Sequence, residues 1–215
     1  MIFNRSMEAG QVPSDWREAN VTPIFKNKDI VTSIPCKIME SIIRDKVVDY
    51  LSRNKHIKNT QHGFMSGQSC ATNLLELLDG CTRILDDGDP LDIIYFAKAV
   101  EKVPHQRLLN KMRGLGITGN ILRWTQEWLQ NRRHRTVLNG SSSDWLEVLS
   151  GVLQGSVLGP LLFVIFINDI DEGAEHIALL LKFADNTKIA NRITSLEERR
   201  NLQNCLNKLT TWADT

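Results

Sequence analysis

The chain has 215 residues, 42% apolar and 24% charged, with a formal net charge of +1. That balance excludes a disordered tail and allows one compact domain with a real core. Four cysteines, Cys36, Cys70, Cys81 and Cys205, lie far apart with no Cys-x-x-Cys pair, which argues against a disulfide framework or a zinc site and for a reducing compartment.

Taken in chain order, Met1 to Asn20 reads as a lead-in with a turn near Pro13. Helical spacing of Ile38, Ile42, Ile43, Val47 and Leu51 predicts a helix over 35–51 with those residues inward. A second helix is predicted over 69–85, through Leu74, Leu75, Leu77, Leu78, Ile84 and Leu85, and Asp86-Asp87-Gly88-Asp89-Pro90 stops it. Leu91 to Phe96 reads as a central strand. Helical pieces at 108–112 and 121–129 follow, with Trp124 and Trp128 four apart on one face as core anchors.

Strands are expected over 135–138 and 145–149, around a turn at Asn139-Gly140 that Ser141 to Ser143 lengthen. Next comes Ser150-Gly151-Val152-Leu153-Gln154-Gly155-Ser156-Val157-Leu158-Gly159-Pro160, whose glycines suggest backbone passing close to something. The apolar run after it, Leu161 to Ile170, is too short and interrupted for a membrane span, so no membrane partner is expected. Ile177 to Lys182 reads as a buried strand, Asp185-Asn186 as a tight turn and Thr187 to Ala190 as the return strand. A last helix covers 196–212. No start-of-chain segment has signal-peptide order, and no linker marks a second independent domain.

Between Lys98 and Arg135 nine Lys or Arg face only Glu101 and Glu127, a local balance of +7. Such a belt suits backbone phosphates, with Arg132, Arg133 and Arg135 at its end and Lys26 upstream, although a merely solvated face has the same composition.

The loop 150–160 and the tract Phe183-Ala184-Asp185-Asn186 together resemble the palm of reverse transcriptases from non-LTR retrotransposons, the LINE, jockey and CR1-like group. Val21-Thr22-Pro23-Ile24-Phe25-Lys26, Gln61-His62-Gly63-Phe64, Lys102-Val103-Pro104-His105 and Val137-Leu138-Asn139-Gly140 agree, in the same order along nearly the whole chain. The resemblance implies a mixed α/β (α+β) polymerase palm, an antiparallel sheet packed by helices. Residues 1–90 would supply incomplete fingers and palm helices, 91–215 the palm, and no thumb is expected. It also implies RNA-directed DNA polymerisation with two Mg²⁺ ions roughly 4 Å apart as cofactor.

Such a centre needs several converging carboxylates. In the resembled family one comes from the first central strand and two from the hairpin. Here the family's Leu-Asp has no counterpart before Phe96, so Tyr95 stands at the first ligand position. Asp92 would point to the other face of that strand, and Glu101 matches a different acidic position. Asp185 matches the second ligand and remains the metal candidate. Asn186 holds the third position, with only an amide oxygen to offer. One carboxylate of three argues against tight Mg²⁺ binding and for a degenerate, inactive copy.

The nucleotide pocket has changed as well. Met65, Ser66 and Gln68 stand where the family carries basic residues, and a tract with an arginine near the triphosphate has no counterpart between Asp29 and Val31. These losses argue against dNTP binding. Phe64, Lys98, Gln154 and Gly155 match template or nucleotide contacts. RNA or DNA is the implied partner, and two other readings stay open: a non-enzymatic RNA- or DNA-binding module, and a protein-interaction remnant with an unknown partner. An intracellular place, nucleus or cytoplasm, is all that the sequence suggests.

Overall fold

A computed structural model describes residues 2–24, 27–31, 33–63, 67–96, 100–153, 155–172, 174, 176–184 and 186–214. They form two compact units: Met1–His56 with Val100–Phe166, and Ile57–Ala99 with Ile167–Thr215.

The first unit carries helix α1 (Ile2–Ala9), a 3-10 turn at Ser14–Trp16, and the antiparallel pair β1 (Glu18–Ile24) and β2 (Asn27–Val31). The lead-in is therefore helical before the expected turn. Its Ser6 accepts a hydrogen bond from Trp124 Nε1 at 2.9 Å. Helix α2 (Ile34–Arg53) starts at Ser33, whose side chain caps Cys36 N, with Pro35 in the first turn.

The buried stripe of α2 is Cys36, Met39, Glu40, Ile43, Val47 and Leu51, while Ile38 and Ile42, expected inward, are exposed. The face is rotated because a buried carboxylate, Glu40, anchors it, and apolar periodicity gives a carboxylate no weight.

Helices α3 (Cys70–Asp86), α4 (His105–Gly114) and α5 (Gly119–Leu129) follow in sequence, α3 belonging to the second unit. Trp124 and Trp128 of α5 are fully buried and stack at 6.4 Å, as core anchors should. Strand β3 (Leu91–Phe96) also belongs to the second unit, whereas β4 (Arg133–Leu138) returns to the first and runs parallel to β1. Asn139 (φ 49°) and Gly140 (φ 81°) make the two-residue turn after β4. The return strand is split. β5 (Ser141–Ser142) pairs with the end of β4 and β6 (Leu146–Glu147) with its start. Ser143, expected in the connection, instead takes the Thr136 N–H on its hydroxyl at 3.0 Å.

Helix α6 (Gly159–Phe166) is buried at Gly159 and from Leu161 through Phe166. Among the described residues no helix is long and apolar enough to cross a membrane.

In the second unit β7 (Leu179–Phe183) and β8 (Asn186–Arg192) form an antiparallel hairpin, and the sheet order is β3-β8-β7. β3, expected to be central, is thus an outer strand among the described residues, with β8 in the middle. Alternation divides the sheet between two helices. Leu180 and Ile189 pack with Leu202, Cys205 and Leu209 of helix α7 (Leu196–Asp214). Leu181 and Ala190 pack with Leu77 and Cys81 of α3. α3 buries Asn73, Leu77, Cys81 and Ile84, so Leu74, Leu75, Leu78 and Leu85 are exposed, against expectation. A polar anchor sets the face again: Asn73 accepts Lys188 Nζ at 3.0 Å.

Candidate functional site

The hairpin of β7 and β8 closes on the pair Phe183 and Asn186, and Ala184 between them has a left-handed φ of 51°. Asn186, read from the sequence as a turn residue, is the first residue of β8. Asp185 lies outside the described residues. Across the sheet β3 pairs with β8, and this brings together Tyr95 and Asn186, two of the positions expected from the sequence to stand where the family carries ligands. The Tyr95 hydroxyl donates a hydrogen bond to the amide oxygen of Asn186. Where two carboxylates would repel each other and share a cation, a neutral donor meets a neutral acceptor.

The segment Thr60–Gly63 runs beside β7. His62 N donates to Lys182 O and Lys182 N to Thr60 O, both at 2.8 Å, a parallel bridge. Gly63 sits so close to the hairpin that a Cβ there would lie 2.1 Å from Ala184 N. That contact explains the glycine of the Gln-His-Gly tract. His62 is buried, with Nε2 3.1 Å from Glu76 Oε2 and Nδ1 3.3 Å from Thr72 Oγ1. It holds the segment onto α3.

Under the hairpin lies an ion cluster absent from the sequence reading. Lys182 is fully buried, 3.1 Å from Asp171 Oδ2, and Asp171 also takes Lys58 at 2.7 Å and Thr60 at 2.9 Å. Burial alone would raise the Asp171 carboxyl, but Lys58, Lys182 and Thr60 together hold it below its ordinary value. Burial lowers the Lys182 ammonium against the pull of Asp171. A lysine ending an apolar strand and an aspartate in a loop carry no sequence sign of meeting.

In the first unit the loop 150–160 is built on Glu40. One carboxylate oxygen accepts from Val157 N (2.7 Å) and Leu158 N (3.1 Å), the other from Trp128 Nε1 and the Cys36 thiol, both at 3.2 Å. Burial, then the Glu40 charge, pushes the Cys36 thiol up to about 12, so it is inert. Gly155 has φ 78°, and a Cβ on Gly159 would lie 2.5 Å from Ser156 Oγ. His105 Nε2 lies 2.9 Å from Gly151 O, tying the Lys-Val-Pro-His tract to this loop.

The basic belt is largely engaged within the protein. Arg132, read as a phosphate contact, is 2% exposed, its guanidinium 4.8 Å from the Trp128 ring centre and donating to Trp128 O. This position is corrected: a side chain so enclosed presents nothing to a phosphate. Burial lowers its pKa, with Cys36 and Glu40 pulling the other way. Arg133 pairs with Glu18 at 2.6 Å. Arg135 donates to Asn20 at 2.9 Å and lies 4.6 Å from the Trp145 ring centre. Lys26, Phe64, Lys98 and Gln154 lie outside the described residues.

The donor set does not fit a pair of magnesium ions. Two of the three positions that the resemblance assigns to ligands, Tyr95 and Asn186, are neutral and bonded to each other. Among the described residues no group of three or more His, Cys, Asp or Glu could hold a metal ion.

Known proteins place the chain firmly. The fold is mixed α+β of the kind found in polymerases that copy RNA into DNA. The family model of reverse transcriptase (RNA-dependent DNA polymerase) matches residues 28–215, and the chain belongs to that family. It is 26% identical over 237 residues to the RNA-directed DNA polymerase from mobile element jockey of Drosophila melanogaster, covering 100% of this chain and 25% of that protein. To the probable RNA-directed DNA polymerase from transposon BS of the same fly it is 25% identical, covering 99% of this chain and 26% of that protein.

The chain thus spans about a quarter of these relatives. It is a reverse transcriptase domain derived from a mobile element, related to non-LTR, LINE-like elements, whose family uses Mg²⁺. Apo telomerase from Candida tropicalis superposes with TM-score 0.65 at 12% identity, over 94% of this chain and 49% of that one. Telomerase from Candida albicans gives 0.61 at 11%, over 99% and 43%. At such identity the likeness is one of fold.

Proposed function

We propose that this chain is a reverse transcriptase domain that has kept its fold and lost nucleotidyl transfer. The hydrogen bond from Tyr95 to Asn186 carries the reading. Two-metal catalysis needs charged oxygens around both cations, and here two of three such positions are neutral and satisfied by each other. Residues 91–215 are the remnant of the palm and residues 1–90 of palm helices and incomplete fingers. The pairing of β3 with the β7–β8 hairpin, and the docking of Thr60–Gly63 beside it, support that assignment. Asp185 is the surviving acidic position. Phe64, Lys98, Gln154 and Gly155 match the family's template and nucleotide contacts, whereas Met65, Ser66 and Gln68 lack the charge that a triphosphate needs.

Primer extension tests the reading. The purified chain, given an RNA template, annealed primer, dNTPs and Mg²⁺ or Mn²⁺, yields no product above a no-enzyme control. Extension that Asp185→Ala abolishes would overturn it.

A further inference from the structure

We propose that Lys188 supplies the hairpin's sheet with a cation of its own, and that its ammonium turns divalent metal ions away. The inference rests on the reading of Tyr95 and Asn186 as positions where the family carries ligands. It adds a third change beside them, one of charge gained rather than of oxygens lost.

The register places Lys188 with those two residues. On the side of the sheet that packs on α3, one row crosses the strands as Leu181, Lys188 and Tyr95, and the next row carries Phe183 and Asn186. Directly opposed side chains on one face have Cβ atoms about 5 Å apart, and residues two apart along a strand share a face at about 7 Å. Lys188 is therefore the neighbour of Tyr95 across the ladder and of Asn186 along β8. The Tyr95 hydroxyl spans the two rows by reaching the Asn186 amide.

A lysine stands out in this setting. The row behind it is Leu179, Ala190 and Ile93, and Leu181 and Ala190 pack on Leu77 and Cys81. Lys188 is half-buried there, so its ammonium needs a hydrogen-bond partner. The partner is neutral. Nζ donates to Asn73 Oδ1 at 3.0 Å, and the fully buried Asn73 is held in that orientation because its amide N–H donates to Lys182 O at 3.4 Å. Lys182 has Asp171, and Arg192 has Asp87 and Asp89. Among the described residues no carboxylate pairs with Lys188, and its charge stays unbalanced.

The consequence is electrostatic. Like charges a few ångströms apart repel more strongly where water is partly excluded, and a divalent ion beside Tyr95 and Asn186 meets this ammonium. Neutral oxygens at those two positions leave a metal weakly held, and Lys188 makes the same region repel it. A carboxylate restored at position 95 would face Lys188 directly across the ladder and pair with it, so a metal would have to break that ion pair first.

Titration of the full chain with Mn²⁺, followed by loss of the free-ion electron paramagnetic resonance signal, tests this in a Tyr95→Asp, Asn186→Asp background. Adding Lys188→Gln, which keeps a donor for Asn73 and removes the charge, tightens manganese binding about tenfold or more. Lys188→Met, which removes donor and charge together, tightens it as well. Lys188→Arg keeps the charge and leaves binding as weak as in the parent double variant. Arg200→Gln removes one positive charge from the exposed side of α7, the helix on the opposite face of the sheet, and changes affinity by less than about twofold. Circular dichroism spectra match throughout. An affinity that Lys188→Gln leaves unchanged overturns the proposal. So does an equal gain from Arg200→Gln, or an equal gain from Lys188→Arg. If none of these proteins takes up manganese, the assignment of positions 95 and 186 falls and the proposal falls with it. The loss of catalysis is tested separately, by primer extension with the wild-type chain, so the two readings fail on different measurements.

Discussion

Arg132 and Arg133 are neighbours in sequence with opposite surroundings. Arg132 is enclosed against Trp128, in the field of Glu40, while Arg133 meets Glu18 at the surface. Losing an enclosed guanidinium that packs on a tryptophan ring and donates to a backbone carbonyl costs about 2 kcal/mol. Arg132→Ala should therefore lower stability by that much in urea denaturation, and Arg133→Ala by less than about 1 kcal/mol. A run of arginines in sequence shows charge but not which member turns inward; the sign that could have singled out Arg132 was the buried tryptophan four residues before it. Tyr95 and Asn186 were legible as neutral residues, whereas their hydrogen bond to each other needed the sheet register. Restoring both acids, Tyr95→Asp with Asn186→Asp, should create a terbium site detectable by sensitised luminescence that wild type lacks. Equal luminescence from both proteins would contradict the assignment of these positions.

At the scale of elements, the second unit hangs on contacts between its hairpin and the segment beside it. Gly63→Ala forces a Cβ into backbone at Ala184 N, and a main-chain obstacle cannot rotate away. The expected cost is about 3 kcal/mol, the upper end for overpacking, read as a lowered urea midpoint. Asp171 adds a dependence on pH. Its folded carboxyl titrates below the ordinary value of 3.8, so the unfolded chain takes up the proton first as pH falls. The stability it contributes is complete above that ordinary value and is lost as pH drops through the folded one. Asp171→Asn should flatten this acid limb in a pH series of thermal melts. Helices and the hairpin were readable from periodicity and turn residues. Which helix face turns inward was not, because Glu40 in α2 and Asn73 in α3 are buried polar anchors that a hydrophobic pattern counts as surface.

For the whole molecule, ordered tracts along the sequence were enough to identify the fold, since each marks a place where backbone passes backbone. Gly63 against Ala184 N and Gly159 against Leu153 O are two such places. On the proposed reading, the positions that hold backbone close to backbone survive, and two of the three that would hold cations do not. Titration of the purified chain with Mn²⁺, followed by loss of the free-ion electron paramagnetic resonance signal, tests this most directly. Wild type and Asp185→Ala should give the same weak, unsaturated binding into the millimolar range. Tight uptake of two manganese ions per chain, lost in Asp185→Ala, would contradict the account.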